Sequence, residues 1–139
     1  MLHHLALSLA RSHDEQLQNN LQISFSQYKI LMIIKWTPSL QQNQIAKQLG
    51  VTEASISRQI KLMFDEGLIQ SIPDESDRRK HVITLTKRGE RVSEQAVEFL
   101  KQQNQLMTNS LSKSEQEQLL GYLKVLHNNV CSENSGFCS

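Results

Sequence analysis

The chain has 139 residues, enough for one domain by the usual length scale. A hydrophobic content of 38% supports a small core, and a formal net charge of +1 excludes a protein that holds nucleic acid through a global basic field. No apolar run approaches the roughly 18 residues that span a bilayer, the apolar start lacks the basic leader and cleavage site of a secretion signal, and two cysteines without framework spacing point to a reducing cytoplasm.

Leu2, Leu5, Leu9, Leu17 and Leu21 recur at roughly helical spacing from the first residues onward. Such a stripe needs a surface to cover it, in the same domain or in a partner. Residues 24–35 read as the next helix, capped by Ser24 or Ser26, with Phe25, Tyr28, Leu31, Met32 and Ile34 facing inward. It stops at Trp36-Thr37-Pro38, because a proline disfavours helix at the residue before it. Trp36 is expected to cover the core at that junction, and Leu40 to supply a short strand.

The densest pattern lies in residues 41–91. Ile45, Ala46 and Leu49 share one face of a short helix, and Gly50 suits a left-handed C-cap. Thr52 can cap the helix that follows, whose buried stripe is Ile56, Ile60, Met63 and Phe64. A small residue, a glycine four later and an aliphatic six after that make the helix-turn-helix spacing. The second helix leaves Ala54, Ser55, Ser57, Arg58 and Lys61 outside. Short side chains permit close approach to base edges, Arg58 can fork onto a guanine or a phosphate, and Lys61 is a point charge for phosphate. Thr52, Gln41, Gln42 and Asn43 sit near helix starts, where backbone N–H groups favour anions. The competing reading of this face is a solvated surface.

After Gly67, residues 68–72 and His81–Leu85 read as strands, the second rich in β-branched residues. The polar loop between them ends in Arg78-Arg79-Lys80. A helix-turn-helix followed by a hairpin with a basic tip is a winged helix. The local charge excess is small: residues 39–91 carry nine Lys/Arg and seven Asp/Glu, a net +2, against −1 elsewhere. Placement of the cations must therefore carry the electrostatics.

Asp77-x-Arg79, followed by Leu85-Thr86 and Gly89, resembles the wing signature of the MarR family of bacterial transcriptional regulators. The likeness runs along the whole chain and is sharpest over residues 40–89. It implies that Asp77 orients the Arg79 guanidinium for the minor groove, where narrow A·T-rich DNA concentrates negative potential. The bland alternative is an exposed ion pair worth about 0–1 kcal/mol. Arg78 and Lys80 read as phosphate contacts. The resemblance also implies a small aromatic or lipophilic effector between the dimer helices and the reading domain, with Phe25, Tyr28, Met32, Trp36 and Phe99 as candidate lining.

A long helix is expected from Lys87 to about Asn109, striped by Val92, Ala96, Phe99, Leu100, Gln103, Leu106 and Met107. At about 1.5 Å per residue it is roughly 35 Å long, too long for the wing domain alone to cover. Ser112-Lys113-Ser114-Glu115 fits a capping box and opens a last helix with Leu119, Leu120, Leu123, Leu126 and Val130 inward. Residues 131–139 have turn composition and are expected to fray as a flexible tail.

Five histidines invite a metal hypothesis, yet only His127 and Cys131 share a helix face, and a zinc site needs three or four ligands. Cys131 and Cys138 are too far apart for a zinc knuckle or a dithiol motif. Peroxide sensors of the resembled family keep a reactive cysteine near the chain start, which this sequence lacks. No nucleophile elbow, phosphate-cradling glycine loop or apolar carboxylate pair appears, so neither enzyme activity nor a cofactor is expected.

The sequence therefore reads as mainly α (α+β), with a winged helix-turn-helix over residues 38–91 and a helical dimerisation part over 1–22 and 92–130. The expected partners are double-stranded DNA with a pseudo-palindromic operator, a second copy of the chain and a small-molecule effector, with no membrane. Two other readings stay open: a winged helix used for protein contact without a DNA target, and a metal or redox sensor on the same scaffold.

Overall fold

The structure is a computed structural model that describes residues 1–37, 41–74 and 81–130. The elements are α1 (Leu2–Leu21), α2 (Phe25–Trp36), α3 (Gln42–Leu49), α4 (Glu53–Asp65), β1 (Ile69–Pro73), β2 (His81–Leu85), α5 (Lys87–Thr108) and α6 (Lys113–Val130). The strands pair antiparallel in the register Ile69↔Leu85 to Pro73↔His81. The result is the mainly helical winged-helix architecture that the sequence predicts. Leu40, the expected third strand, and the tail 131–139 with Cys131 and Cys138 lie outside the described residues.

Helix ends fall where local chemistry puts them. Ser24 caps α2, with its Oγ accepting from the Gln27 N–H at 3.1 Å while Gln27 Oε1 accepts from the Ser24 N–H at 2.7 Å. Ser112 and Glu115 reciprocate in the same way at the start of α6. Gly50 takes a left-handed φ of 63°, and the Val51 N–H closes back on the Ala46 carbonyl. Gly67 repeats the device with φ 67° at the end of α4. Here the Leu68 N–H donates to the Met63 carbonyl and the Gly67 N–H to that of Phe64, a Schellman closure. That closure explains a one-residue correction. Strand β1 starts at Ile69 rather than Leu68, because the Leu68 N–H already belongs to the helix cap.

One core joins Leu17 of α1, Ile30, Leu31 and Ile34 of α2, Ile45 and Ala46 of α3, Ile56, Ile60 and Met63 of α4, Leu68, Ile69, and Ala96 and Leu100 of α5. On α2 the buried set is Gln27, Ile30, Leu31 and Ile34, while Phe25, Tyr28 and Met32 are only half-buried. Trp36 does not cover the core: it stands 73% exposed. It follows Ile34 by two positions, which at 3.6 residues per turn is the opposite side of the helix. On α5 the buried residues are Gly89, Ser93, Ala96 and Leu100, the first three small enough to let the helix sit close against its neighbours α1, α2 and β2. Leu106 and Met107 are exposed. The largest departure is α6. Leu119, Leu120, Leu123, Leu126 and Val130, expected inward, are all exposed, and the helix buries none of its residues within this chain.

Candidate nucleic-acid interface

The helix-turn-helix closes its inner face completely and leaves the outer face bare. Ile56, Ile60 and Met63 of α4 pack on Ile45 and Ala46 of α3, so the opposite face of α4 must point to solvent. Ala54, Ser57, Arg58 and Lys61 are exposed there, and Ser55 is half-buried in the first turn. Among the described residues the only ion pair is Lys35–Glu94 at 3.4 Å, so neither Arg58 nor Lys61 is neutralised by a carboxylate. Thr52 accepts from the Ser55 N–H at 3.2 Å, which leaves its hydroxyl proton free to donate outward. Gln41, Gln42 and Asn43 are exposed at the start of α3, where Gln44 Oε1 holds the Gln41 N–H at 2.8 Å. Asp77, Arg78, Arg79 and Lys80 lie outside the described residues.

The base of the hairpin is anchored firmly. Thr86 Oγ1 donates to the Gly67 carbonyl at 2.6 Å and accepts from the Gly89 N–H at 3.0 Å. The Thr86 N–H donates to the Leu68 carbonyl at 3.1 Å. Gly89 rests directly on that carbonyl, and an added Cβ would overlap the Leu68 oxygen. The Thr86 and Gly89 pair thus locks the end of α4, the start of β1 and the start of α5 into one unit. The hairpin is thereby aimed relative to α4.

A second feature lies among the helices α1, α2 and α5. An open cleft of about 530 Å³ runs between α2 and α5, lined by His13, Phe25, Tyr28, Val97, Leu100, Lys101, Asn104, Gln105 and Thr108. The Phe25 ring meets His13 edge-on at 5.3 Å, stacks on Tyr28 at 5.9 Å and carries Lys29 Nζ over its face at 5.4 Å. Burial pushes the Tyr28 phenol above its ordinary value of 10.0. The cleft offers aromatic faces on one wall and an ammonium with amide side chains on the other.

A family model described as the MarR family matches residues 23–81. The HTH-type transcriptional regulator TcaR of Staphylococcus aureus is 30% identical over 125 residues, covering 84% of this chain and 78% of that protein. The chain belongs to the MarR family. Among solved structures, wild-type apo MarR from E. coli superposes with a TM-score of 0.79 at 25% identity, covering 90% of this chain and 92% of that one. A DNA complex of S. aureus MepR gives a TM-score of 0.70 at 23% identity, with 94% of each chain covered. This is a MarR-family transcriptional regulator with the winged-helix fold, and its named relatives are regulators rather than enzymes.

In this MarR-family chain, of the residues expected to read DNA, Ala54, Ser57, Arg58 and Lys61 share one exposed face of α4, Ser55 is half-buried beside it, and the wing residues lie outside the described residues. Of the five expected to line an effector site, Phe25 and Tyr28 meet in the cleft, while Met32, Trp36 and Phe99 do not line it. His13, Val97 and Lys101 were missed. Val97, Lys101, Asn104, Gln105 and Thr108 share one face of α5, but polar residues on an amphipathic helix read as solvated until a facing wall is known. Gln27 was missed as well, although its place three residues after Ser24 is the capping-box signature. Among the described residues no group of three or more His, Cys, Asp or Glu could hold a metal ion, and no helix is long and apolar enough to cross a membrane.

Proposed function

We propose that this chain is a repressor that binds a pseudo-palindromic operator as a homodimer and releases it when a small aromatic or lipophilic compound fills the α2–α5 cleft. The observation that carries the reading is the α4 face: Ser57, Arg58 and Lys61 stand exposed and unneutralised on a helix whose other side is sealed into the core. Arg58 forks onto guanine or phosphate, Lys61 meets phosphate, and Ala54, Ser55 and Ser57 allow close approach to base edges. Thr52, Gln41, Gln42 and Asn43 hold the backbone. For the wing, the Asp77-x-Arg79 pattern supports Arg79 in the minor groove, with Arg78 and Lys80 on phosphates. The DNA-bound state of MepR, a protein of the same fold, supports the same use of this architecture.

The homodimer follows from the unfilled apolar faces. Leu2, Leu5 and Leu7 of α1, Leu106 of α5 and the leucines of α6 are exposed in one chain. An isolated helix with such a face is marginal in water. A second copy brings the same surface and covers both. The cleft volume and mixed lining suit a drug-sized aromatic compound.

Selection of bound duplexes from a random pool tests the reading. The expected product is two inverted half-sites about one helical turn apart, roughly 34–36 Å between centres, with affinity falling steeply as salt rises. Recovery of no duplex even at low salt overturns the DNA reading and favours a protein-contact role. A lone subunit in sedimentation overturns the dimer.

A further inference from the structure

The first turn of α2 is tied in three directions. Phe25 and Tyr28 form one wall of the cleft. The Phe25 N–H donates to Asp14 Oδ1 of α1 at 2.7 Å. Gln27, only 3% exposed, is turned away from the cleft wall and reaches the far end of the reading helix. Its Nε2 donates to Glu66 Oε2 at 2.7 Å, across 39 positions of sequence, while its Oε1 holds the Ser24 N–H. Glu66 closes α4, its own N–H donating to the Leu62 carbonyl. Among the described residues, this is the only side-chain hydrogen bond joining α2 to the end of α4.

We infer that Gln27 is a positioning residue for DNA binding: it carries the state of the cleft to the recognition helix by gripping Glu66. The inference rests on the operator and effector reading above. A compound entering between Phe25, Tyr28 and α5 displaces the turn on which Gln27 sits. The grip is charge-assisted and part-buried, with Gln27 itself withdrawn from solvent, so it transmits that displacement better than an exposed neutral contact would. The last turn of α4 then shifts, and with it the face that carries Arg58 and Lys61.

A plain helix-capping role for Gln27 makes a different prediction, and one substitution separates the two. Gln27→Glu keeps the cap, since a carboxylate accepts from the Ser24 N–H as well as an amide does. It also sets two carboxylates against each other where the grip was. Adding Glu66→Gln restores a donor–acceptor pair with the roles exchanged. The cleft itself is filled without any ligand by Val97→Trp, from the α5 wall.

The experiment measures affinity for the selected duplex with and without Val97→Trp in three backgrounds: unmodified, Gln27→Glu, and Gln27→Glu with Glu66→Gln. Val97→Trp should weaken binding about tenfold in the unmodified protein, less than about twofold in Gln27→Glu, and again about tenfold in the exchanged pair. A capping role predicts the same loss in all three, and that result overturns the inference, as does no loss in the unmodified protein. Should Gln27→Glu fail to fold, Glu66→Ala removes the acceptor and leaves the cap, and the same comparison decides. Should Val97→Trp fail to fold, Val97→Phe takes its place. A chain that selects no duplex fails at the DNA reading; equal losses on a bound duplex fail the Gln27 grip alone.

Discussion

Helices α4 and α6 are built from similar material and meet opposite fates. Both are amphipathic, with 13 and 18 residues. The aliphatic side chains of α4, Ile56, Ile60 and Met63, vanish into a core supplied by α2, α3 and β1. Those of α6, Leu119, Leu120, Leu123 and Leu126, stay exposed, and among the described residues none is buried. The apolar side of α4 is buried within one copy. The helical end leaves an apolar face exposed, and the proposed second copy would cover it. Folding of the first should be independent of concentration, and order in the second should depend on it.

The strongest way to break this contrast is to charge the unfilled face. Leu123→Asp with Leu126→Asp should convert a dimer to a monomer in sedimentation while leaving the reading half folded. Operator affinity should fall by about 10²–10⁴-fold as the second half-site contact is lost. If the variant stays dimeric, α6 is not the pairing surface.

The junction between the halves comes next. Gly89→Ala drives a Cβ into the Leu68 carbonyl, a backbone atom that cannot swing aside. It should cost about 1–3 kcal/mol in urea unfolding, as overpacked sites do. An unchanged midpoint would mean that α5 can slide from β1 at no cost. Thr52→Ala probes the reading half alone. Loss of the cap on the Ser55 N–H should destabilise by about 1 kcal/mol and should not change the oligomeric state.

The smallest effect is a pH response of the helical end. Glu115 lies below its ordinary value of 4.5, because the Ser112 hydroxyl and then the Ser112 backbone N–H hydrogen-bond its carboxylate. Folding therefore favours the ionised form. The contribution is present above pH 4.5 and is lost as pH falls through the lowered folded value. Amide exchange at the start of α6 should rise in that acid window, and Glu115→Gln should flatten the response. A rise of the same size in Glu115→Gln would place the cause elsewhere.

The helix-turn-helix was readable because its determinants are local. Gly50, Thr52 and Gly67 act on backbone groups within a few residues, as the Ser112–Glu115 box does for α6, and the Ile56–Ile60–Met63 stripe repeats at helical spacing. The effector cleft was half readable. Phe25 and Tyr28 announce themselves as aromatics, whereas His13 and Lys101 join them only because α1, α2 and α5 pack together. Trp36, expected to cover the core at the end of α2, is exposed instead, because the side of the helix it occupies depends on where Ile34 points.

By itself, then, the sequence determined the helices, their caps, the hairpin and the helical face left to solvent, since all of these follow from contacts a few positions apart. Only the tertiary structure decided that Gln27 grips Glu66, that Gly89 seats on the Leu68 carbonyl, and that the α6 leucines go uncovered in one chain. Each of those depends on which distant elements meet, and apolar periodicity marks a face for burial without naming what will bury it.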